Sequence, residues 1–343
     1  MIIAFFGKVD TIFDLMNVNR KQSMEARCAS SRKRKSAALE SAEELRPNPG
    51  VGARGEGVDC ISSLPNEVLC EIISLLPTNE GARTQILSRR WRPLWCSAPL
   101  NLDFRHVGYV GLRRRQELGD YLSPILDSHR GPRRRLHAWA NNNEEYDFVE
   151  ECLSSPALDK LQELEVYFDF ERAVPASFFS SSSPALHVVD IERCRISDVT
   201  VYGLHFPMLK LLGLSSVEIM SDSSFNNLLA CCPVLDCFHM FGTTGVNCLR
   251  INSLSVRRIG VRHASVVDQL IIESAPRLGT LLHFDEYTYH DLHVSMLSAP
   301  KLKNLGFCSE TTSIVFGFKD IEVNLHIFFT YKLYIKFAHM YIA

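Results

Sequence analysis

Apolar residues follow three textures along the chain. Residues 19–57 are rich in Ser, Ala, Arg, Gly and Pro and show no apolar period that would offset the entropy of ordering a backbone, so 1–57 is predicted to be a disordered leader. From Asp59 onward Ile61, Leu64, Val68, Leu69, Ile72, Ile73, Leu75 and Leu76 recur at helical spacing, with Pro65 in the first turn and Glu67 and Glu71 on the wet side. Pro77 ends that helix, Thr78 is a candidate N-cap with Glu80 in the next first turn, and Ala82, Ile86, Leu87, Trp91, Leu94 and Trp95 carry the stripe onward. Gly81 and Pro93 divide this second stretch into short pieces, giving a small helical domain over 58–104.

After a connecting segment over 105–150, the chain repeats itself. Ser155-Pro156-x-Leu158-x-x-Leu161-x-x-Leu164-x-Val166 is echoed at Ser183-Pro184-x-Leu186, Phe206-Pro207-x-Leu209, Cys232-Pro233-x-Leu235, Ala275-Pro276-x-Leu278 and Ala299-Pro300-x-Leu302. The leucine two residues after each proline returns every 23–28 residues except across one gap of 43, which a copy without proline at Leu254 to Ile259 halves. A period in the twenties with Leu-x-x-Leu-x-Leu is the mark of leucine-rich repeats, one strand per repeat stacking into a parallel sheet. The repeats are predicted over 151–310, with stretches such as Ser224–Cys231 forming single helical turns on the convex side. The predicted fold class is therefore α plus α/β, a small helical domain followed by a leucine-rich-repeat solenoid. Residues 311–343 read as an atypical apolar tail, because Phe316-Gly317-Phe318-Lys319 and Ile327 to Ile335 fit no repeat.

Composition narrows the function more than the fold. The 343 residues carry a net charge of −2, which gives no global attraction to nucleic acid or to an anionic membrane. Residues 105–137 hold 8 basic and 3 acidic residues, against 15 and 24 over 138–343, so the repeat half is acidic and hints at a basic target. The runs Arg113-Arg114-Arg115 and Arg133-Arg134-Arg135 lack interleaved aromatics and read as solvated rather than nucleic-acid binding. Eleven cysteines in no regular framework fit reduced thiols in cytoplasm or nucleus. The run Arg32-Lys33-Arg34-Lys35 is a candidate import signal, and Met24-Glu25-Ala26-Arg27 has the look of a natural start. No apolar stretch reaches the length of a membrane span.

The string Asp59-Cys60-Ile61-Ser62-Ser63-Leu64-Pro65-Asn66-Glu67-Val68-Leu69, then Ile72-Ile73-Ser74-Leu75-Leu76-Pro77-Thr78, then Ala82-Arg83-Thr84 and Leu87-Ser88-Arg89-Arg90-Trp91-Arg92-Pro93-Leu94-Trp95 resembles an F-box. With Ser97-Ala98-Pro99-Leu100-Asn101-Leu102-Asp103 behind it, the chain is similar to plant F-box proteins carrying leucine-rich repeats, whose relatives often close with an FBD domain. The resemblance implies a helical hairpin that docks on the Skp adaptor of a cullin-RING ubiquitin ligase, with the repeats holding a target protein. It implies a non-catalytic receptor with no cofactor. The alternative is an interaction scaffold, or a truncated product, that does not enter a ligase.

The apolar stripe independently exceeds what a unit of this size hides, and surplus apolar surface marks an interface. Ile61, Leu64, Pro65, Val68, Leu69, Ile72, Leu75, Leu76, Leu87, Trp91, Leu94 and Trp95 are the candidate adaptor contacts. In the repeats, the strand positions between the leucines should face solvent on the concave side. They nominate Glu163, Glu165, Tyr167, Asp190, Glu192, Arg193, His239 and Arg258 as target contacts. Cys231-Cys232-x-x-x-x-Cys237-x-His239 lacks the paired spacing of a zinc site and reads as buried structural cysteine. No nucleophile elbow, phosphate loop or zinc-protease motif occurs, so no catalytic or metal residue is expected.

Overall fold

The structure, a computed structural model, describes residues 61, 63–76, 78–104, 115–174, 179, 184–262, 267–284, 292–308, 312–317, 324–327 and 333–337. The chain divides into two units, Met1–Leu64 and Pro65–Ala343. The predicted leader, the candidate import run and the candidate start at Met24 lie outside the described residues.

The second unit opens with three short helices. Helix α1 (Asn66–Ser74) starts directly after Pro65, whose extended backbone (φ −60°, ψ 153°) delivers the chain into the first turn, and it buries Leu69 and Ile73. Helix α2 (Thr78–Arg83) runs into a 3-10 turn (Thr84–Ile86), and α3 (Trp91–Ser97) tolerates Pro93 because the proline falls in its first turn. Trp91, Leu94 and Trp95 of α3 are buried with Leu69 and Ile73 as the interior of this small bundle.

Strand β1 (Leu100–Phe104) follows at once, and with it the repeat sheet begins. The sheet begins before the repeat template does: β1 falls within the expected helical domain, α4 (Arg115–Ser128), β2 (Arg133–Ala140) and most of α5 (Asn143–Ser154) lie in the expected connector, and β1 and β2 already pair in parallel. The described strands continue as β3 (Glu163–Ala173), β4 (Val188–Ile196), β5 (Leu211–Ser215), β6 (Glu218–Ile219), β7 (Cys237–Phe241), β8 (Cys248–Asn252), β9 (Arg258–Arg262), β10 (Gln269–Ser274) and β11 (Thr280–Phe284). Beyond them lie β12 (Leu292–Met296), β13 (Asn304–Cys308), β14 (Thr312–Phe316), β15 (Asn324–Ile327) and β16 (Leu333–Phe337).

The main sheet has the order β1-β2-β3-β4-β5-β7-β9-β11-β13-β15, all parallel, with β6 alongside β4. One core ladder runs Leu102, Leu136, Leu164, Val189, Leu212, Phe238, Ile259, Leu281, Leu305, one residue from each strand in register and each at most 1% exposed. The leucines of the repeat template are thus the continuous core that the period required.

Behind the main sheet, the backing changes along the solenoid. Helices α5, α6 (Asp198–Tyr202) and α7 (Asp222–Ala230) back the early strands; Asn142, Ser197 and Ser221 cap them through side-chain oxygens that accept from Glu145 N, Thr200 N and Ser224 N. From residue 248 onward the expected helical turns are strands instead, forming a second parallel sheet in the order β16-β14-β12-β10-β8. The cause is local alternation: Leu249/Ile251, Leu270/Ile272 and Val294/Met296 point inward at period two and are all buried. The predicted atypical tail is likewise corrected, since β14 and β16 extend the second sheet and β15 extends the first.

Candidate functional site

Two surfaces collect the residues nominated from sequence. On the helical bundle, the structure separates the adaptor candidates by exposure. Leu75 (59% exposed) and Leu87 (63%) are open to solvent, as is Pro65, and Ile72 is more than one-third exposed; Ile61, in the first unit, is 56% exposed. Val68 and Leu76 are half-buried, as is Leu64 at the end of the first unit. Leu69, Trp91, Leu94 and Trp95 are at most 7% exposed, so the expectation that they meet a partner directly is corrected: they hold the helices together from inside.

Ile86, part of the stripe but not among the candidate adaptor contacts, is the most exposed of these apolar side chains at 83%. The apolar stripe from Ala82 to Trp95, expected as short pieces, does not separate its inward from its outward residues. The tighter 3-10 turn at Thr84–Ile86, held by Thr84 Oγ1 donating to Gly81 O at 2.6 Å, breaks that phase and turns both Ile86 and Leu87 outward. Polar ties fix the frame around them: Arg90 donates from Nε and Nη2 to Asn66 Oδ1 at 3.0 and 2.8 Å, and Arg83 pairs with Glu80 at 2.7 Å.

The second surface is the face of the main sheet opposite its helices. Register places His137, Glu165, Asp190, Gly213, His239 and Gly260 in one row, and Trp139, Tyr167, Glu192, Ser215, Phe241 and Arg262 in the next. Glu163 and Arg258 belong to a third row with Arg135, Val188, Leu211 and Cys237. All eight nominated target contacts therefore lie on β3, β4, β7 and β9, but two of them depart from the simple alternation.

Glu165 was expected in solvent and is buried, its side chain 9% exposed, in an ion pair with Arg135 and with its Oε2 3.2 Å from His137 Nδ1. Arg193 lies at a bulge with a left-handed backbone (φ 57°), where Nη1 donates to the Tyr167 hydroxyl at 2.6 Å and the guanidinium rests 5.7 Å from the Tyr167 ring centroid.

Between these rows, His239 Nε2 approaches Asp190 Oδ2 at 3.8 Å directly over Gly213. A Cβ at Gly213 would stand 2.5 Å from Asp190 Oδ1, so only glycine lets the two side chains meet there. Burial, then the neighbouring charge of Asp190, holds the Glu192 carboxyl above the usual carboxylate range, with Arg193 pulling it back down. Arg258 pairs with Asp236 at 2.8 Å, and the Trp139 and Tyr167 rings meet at a tilt of 52°, their centroids 5.7 Å apart. The face is a charged, aromatic-edged surface whose groups already engage one another.

The remaining candidates make no further site. Arg133 donates to Gly131 O and Leu126 O, and Arg134 lies 3.6 Å from Glu163, so this basic run is tied into the fold rather than solvated as expected. Burial pushes the Cys232 thiol up to about 12 and Cys237 up to about 11, which makes both poor thiolate ligands or nucleophiles. Among the described residues no group of three His, Cys, Asp or Glu is placed to hold a metal ion, and no helix is long and apolar enough to cross a membrane.

Residues 61–103 match the F-box domain family, and residues 149–326 match the family described as FBD-associated F-box protein At5g56370, LRR repeats. Similar proteins from Arabidopsis thaliana include F-box/LRR-repeat protein 13, 27% identical over 247 residues that cover 66% of this chain and 52% of that protein. Putative F-box/LRR-repeat protein At5g02700 is 30% identical over 190 residues, 53% of this chain and 38% of that protein. Putative F-box/FBD/LRR-repeat protein At2g05300 is 27% identical over 214 residues, 61% of this chain and 47% of that protein. The chain thus spans about half or less of the length of these relatives.

Proposed function

The chain belongs to the plant family of F-box proteins with leucine-rich repeats, and from that premise we propose that it is the non-catalytic substrate-recognition subunit of a Skp-cullin-F-box ubiquitin ligase. The F-box holds the Skp adaptor, and the inner face of the main sheet holds a target protein. Its contribution is positioning and effective concentration, with bond chemistry left to other subunits. The free cysteines, with the Cys194 and Cys232 thiols pushed up by burial, fit work in the cytoplasm or nucleus.

One observation carries the reading. Leu75, Ile86 and Leu87 stand 59–83% exposed on a bundle whose tryptophans are fully engaged in its interior. Large aliphatic side chains left in water on so small a unit are anchors for a partner. Co-purification with the Skp adaptor, followed by ubiquitin-chain formation with cullin and RING subunits, tests the role. Wild type is expected to join the complex and to support chains, and a folded Leu75→Asp/Ile86→Asp/Leu87→Asp variant is expected to do neither. A folded wild type that fails to join would overturn the proposal.

A further inference from the structure

Among the described residues the main sheet has one edge at β1, and a parallel edge presents alternating N–H and C=O groups that must find partners. In a parallel ladder the neighbouring residue donates to one carbonyl and accepts from the N–H two residues further on. Here a side chain performs both acts. Thr78 Oγ1 donates to Asn101 O and accepts from Asp103 N, both at 2.9 Å, bracketing core residue Leu102 as a paired backbone residue would. Thr78 is 4% exposed, and although the sequence marks it as the N-cap of α2, its hydroxyl is turned to β1 instead. Asn101 Nδ2 reciprocates by donating to Ser74 O at the end of α1.

A second tie lies at the start of the same strand. Cys96 O, left without a helical partner near the end of α3, accepts from Arg130 N at 2.7 Å and Gly131 N at 3.0 Å, while Leu100 N donates to Pro132 O at 2.9 Å. A Cβ at Gly131 would stand 2.7 Å from Ser97 O, so the turn before β2 can close on α3 only as glycine. The His129 ring meets Trp95 edge-on at 5.2 Å. The helices are joined to the sheet on both sides of β1.

We infer that Thr78 is a positioning residue: its hydroxyl ties the β1 edge of the sheet to α2 as a neighbouring strand residue would, and thereby holds the F-box, with any adaptor docked on it, at one fixed orientation to the inner face. The consequence for ubiquitin transfer rests on the receptor role proposed above, whereas the fixed orientation itself does not.

The test compares the full chain as wild type, Thr78→Val, which keeps the shape and removes the hydroxyl, and Thr78→Ser, which keeps the hydroxyl. Amide exchange at Asp103 is expected to speed up roughly tenfold or more in Thr78→Val, the effect of losing two neutral hydrogen bonds, and to stay near wild type in Thr78→Ser. Fluorophores attached through p-azidophenylalanine at the exposed positions Glu71 and Lys160 should report a broadened distance distribution in Thr78→Val alone. Affinity for the Skp adaptor should be equal in all three, while self-ubiquitination of the receptor in the assembled ligase slows and spreads over different lysines only in Thr78→Val. If Thr78→Val does not fold, Asn101→Ala removes the reciprocal tie and should broaden the same distances. An unchanged distance distribution in the folded variant, or a Thr78→Ser that behaves like Thr78→Val, would overturn the inference. Failure of wild type to bind the adaptor would instead overturn the ligase role, with the distance measurement still deciding the part played by Thr78.

Discussion

The F-box surface and the inner face of the sheet meet solvent in opposite ways. Leu75, Ile86 and Leu87 are large, aliphatic and exposed, whereas on the sheet Arg135 with Glu165, Arg193 with Tyr167, Arg258 with Asp236 and His239 with Asp190 already engage one another. Apolar area is non-directional and supplies affinity to whatever shape covers it. A charged, hydrogen-bonded face contributes selection, because a wrong partner must break pairs without replacing them. The contrast fits a protein that holds one constant partner at one end and a selected one at the other.

The sharpest way to break this contrast is to cross the boundary between surface and interior on the F-box itself. Trp91→Ala should cost about 3–5 kcal/mol in urea unfolding, as a large buried aromatic does, while Leu87→Ser should stay within about 0.5 kcal/mol. Equal costs would show that the two residues share one environment. On the sheet, Gly213→Ala should cost about 1–3 kcal/mol by forcing His239 and Asp190 apart; an unchanged unfolding midpoint would mean that the pair does not sit over that glycine.

Glu165→Gln leaves Arg135 and His137 facing a neutral amide at a largely buried site. Because Arg135 is about one-third exposed, the expected cost is about 1–2 kcal/mol rather than the full value of a buried ion pair. A double-mutant cycle with Arg135→Met checks that the loss belongs to the pair.

The smallest effect is a pH dependence at Glu192. A carboxyl whose folded pKa is raised binds its proton more tightly in the native state, so its contribution favours folding at low pH and is lost as pH rises from the ordinary carboxylate value toward the folded one. Glu192→Gln should therefore be more stable than wild type at pH 7, by less than about 1 kcal/mol for a half-buried group still screened by solvent, and should lose that advantage below about pH 4. An advantage that persists in acid would assign it to something other than the charge.

How legible these features were in the sequence depended on the range of the interaction behind each. The repeat strands were visible because the core ladder from Leu102 to Leu305 takes one residue per turn and writes a period into the chain. The second sheet was missed because its alternation, at Leu249/Ile251, Leu270/Ile272 or Leu292/Val294/Met296, lasts only two or three inward residues per strand, too few to distinguish from one helical turn. The early start of the sheet at β1 was hidden because Leu100–Phe104 directly follows the helices and its partner strand begins 33 residues after Leu100, at Arg133. On the F-box, period alone placed Trp91 and Leu87 on one stripe, and only the 3-10 turn sends one inward and the other out. Glu165 could not be read as buried, since its partners Arg135 and His137 come from a neighbouring strand.

The central claim, that exposed aliphatic side chains of the F-box and not the charged sheet hold the adaptor, is tested most directly by calorimetric titration of the Skp adaptor into the full chain. Wild type and a Glu163→Gln/Asp190→Asn/Arg258→Gln variant of the inner face are expected to bind with the same affinity and a negative heat-capacity change, the signature of apolar burial. The Leu75→Asp/Ile86→Asp/Leu87→Asp variant, folded by circular dichroism, is expected to show no binding. Binding retained by that variant, or lost in the inner-face variant, would contradict the account.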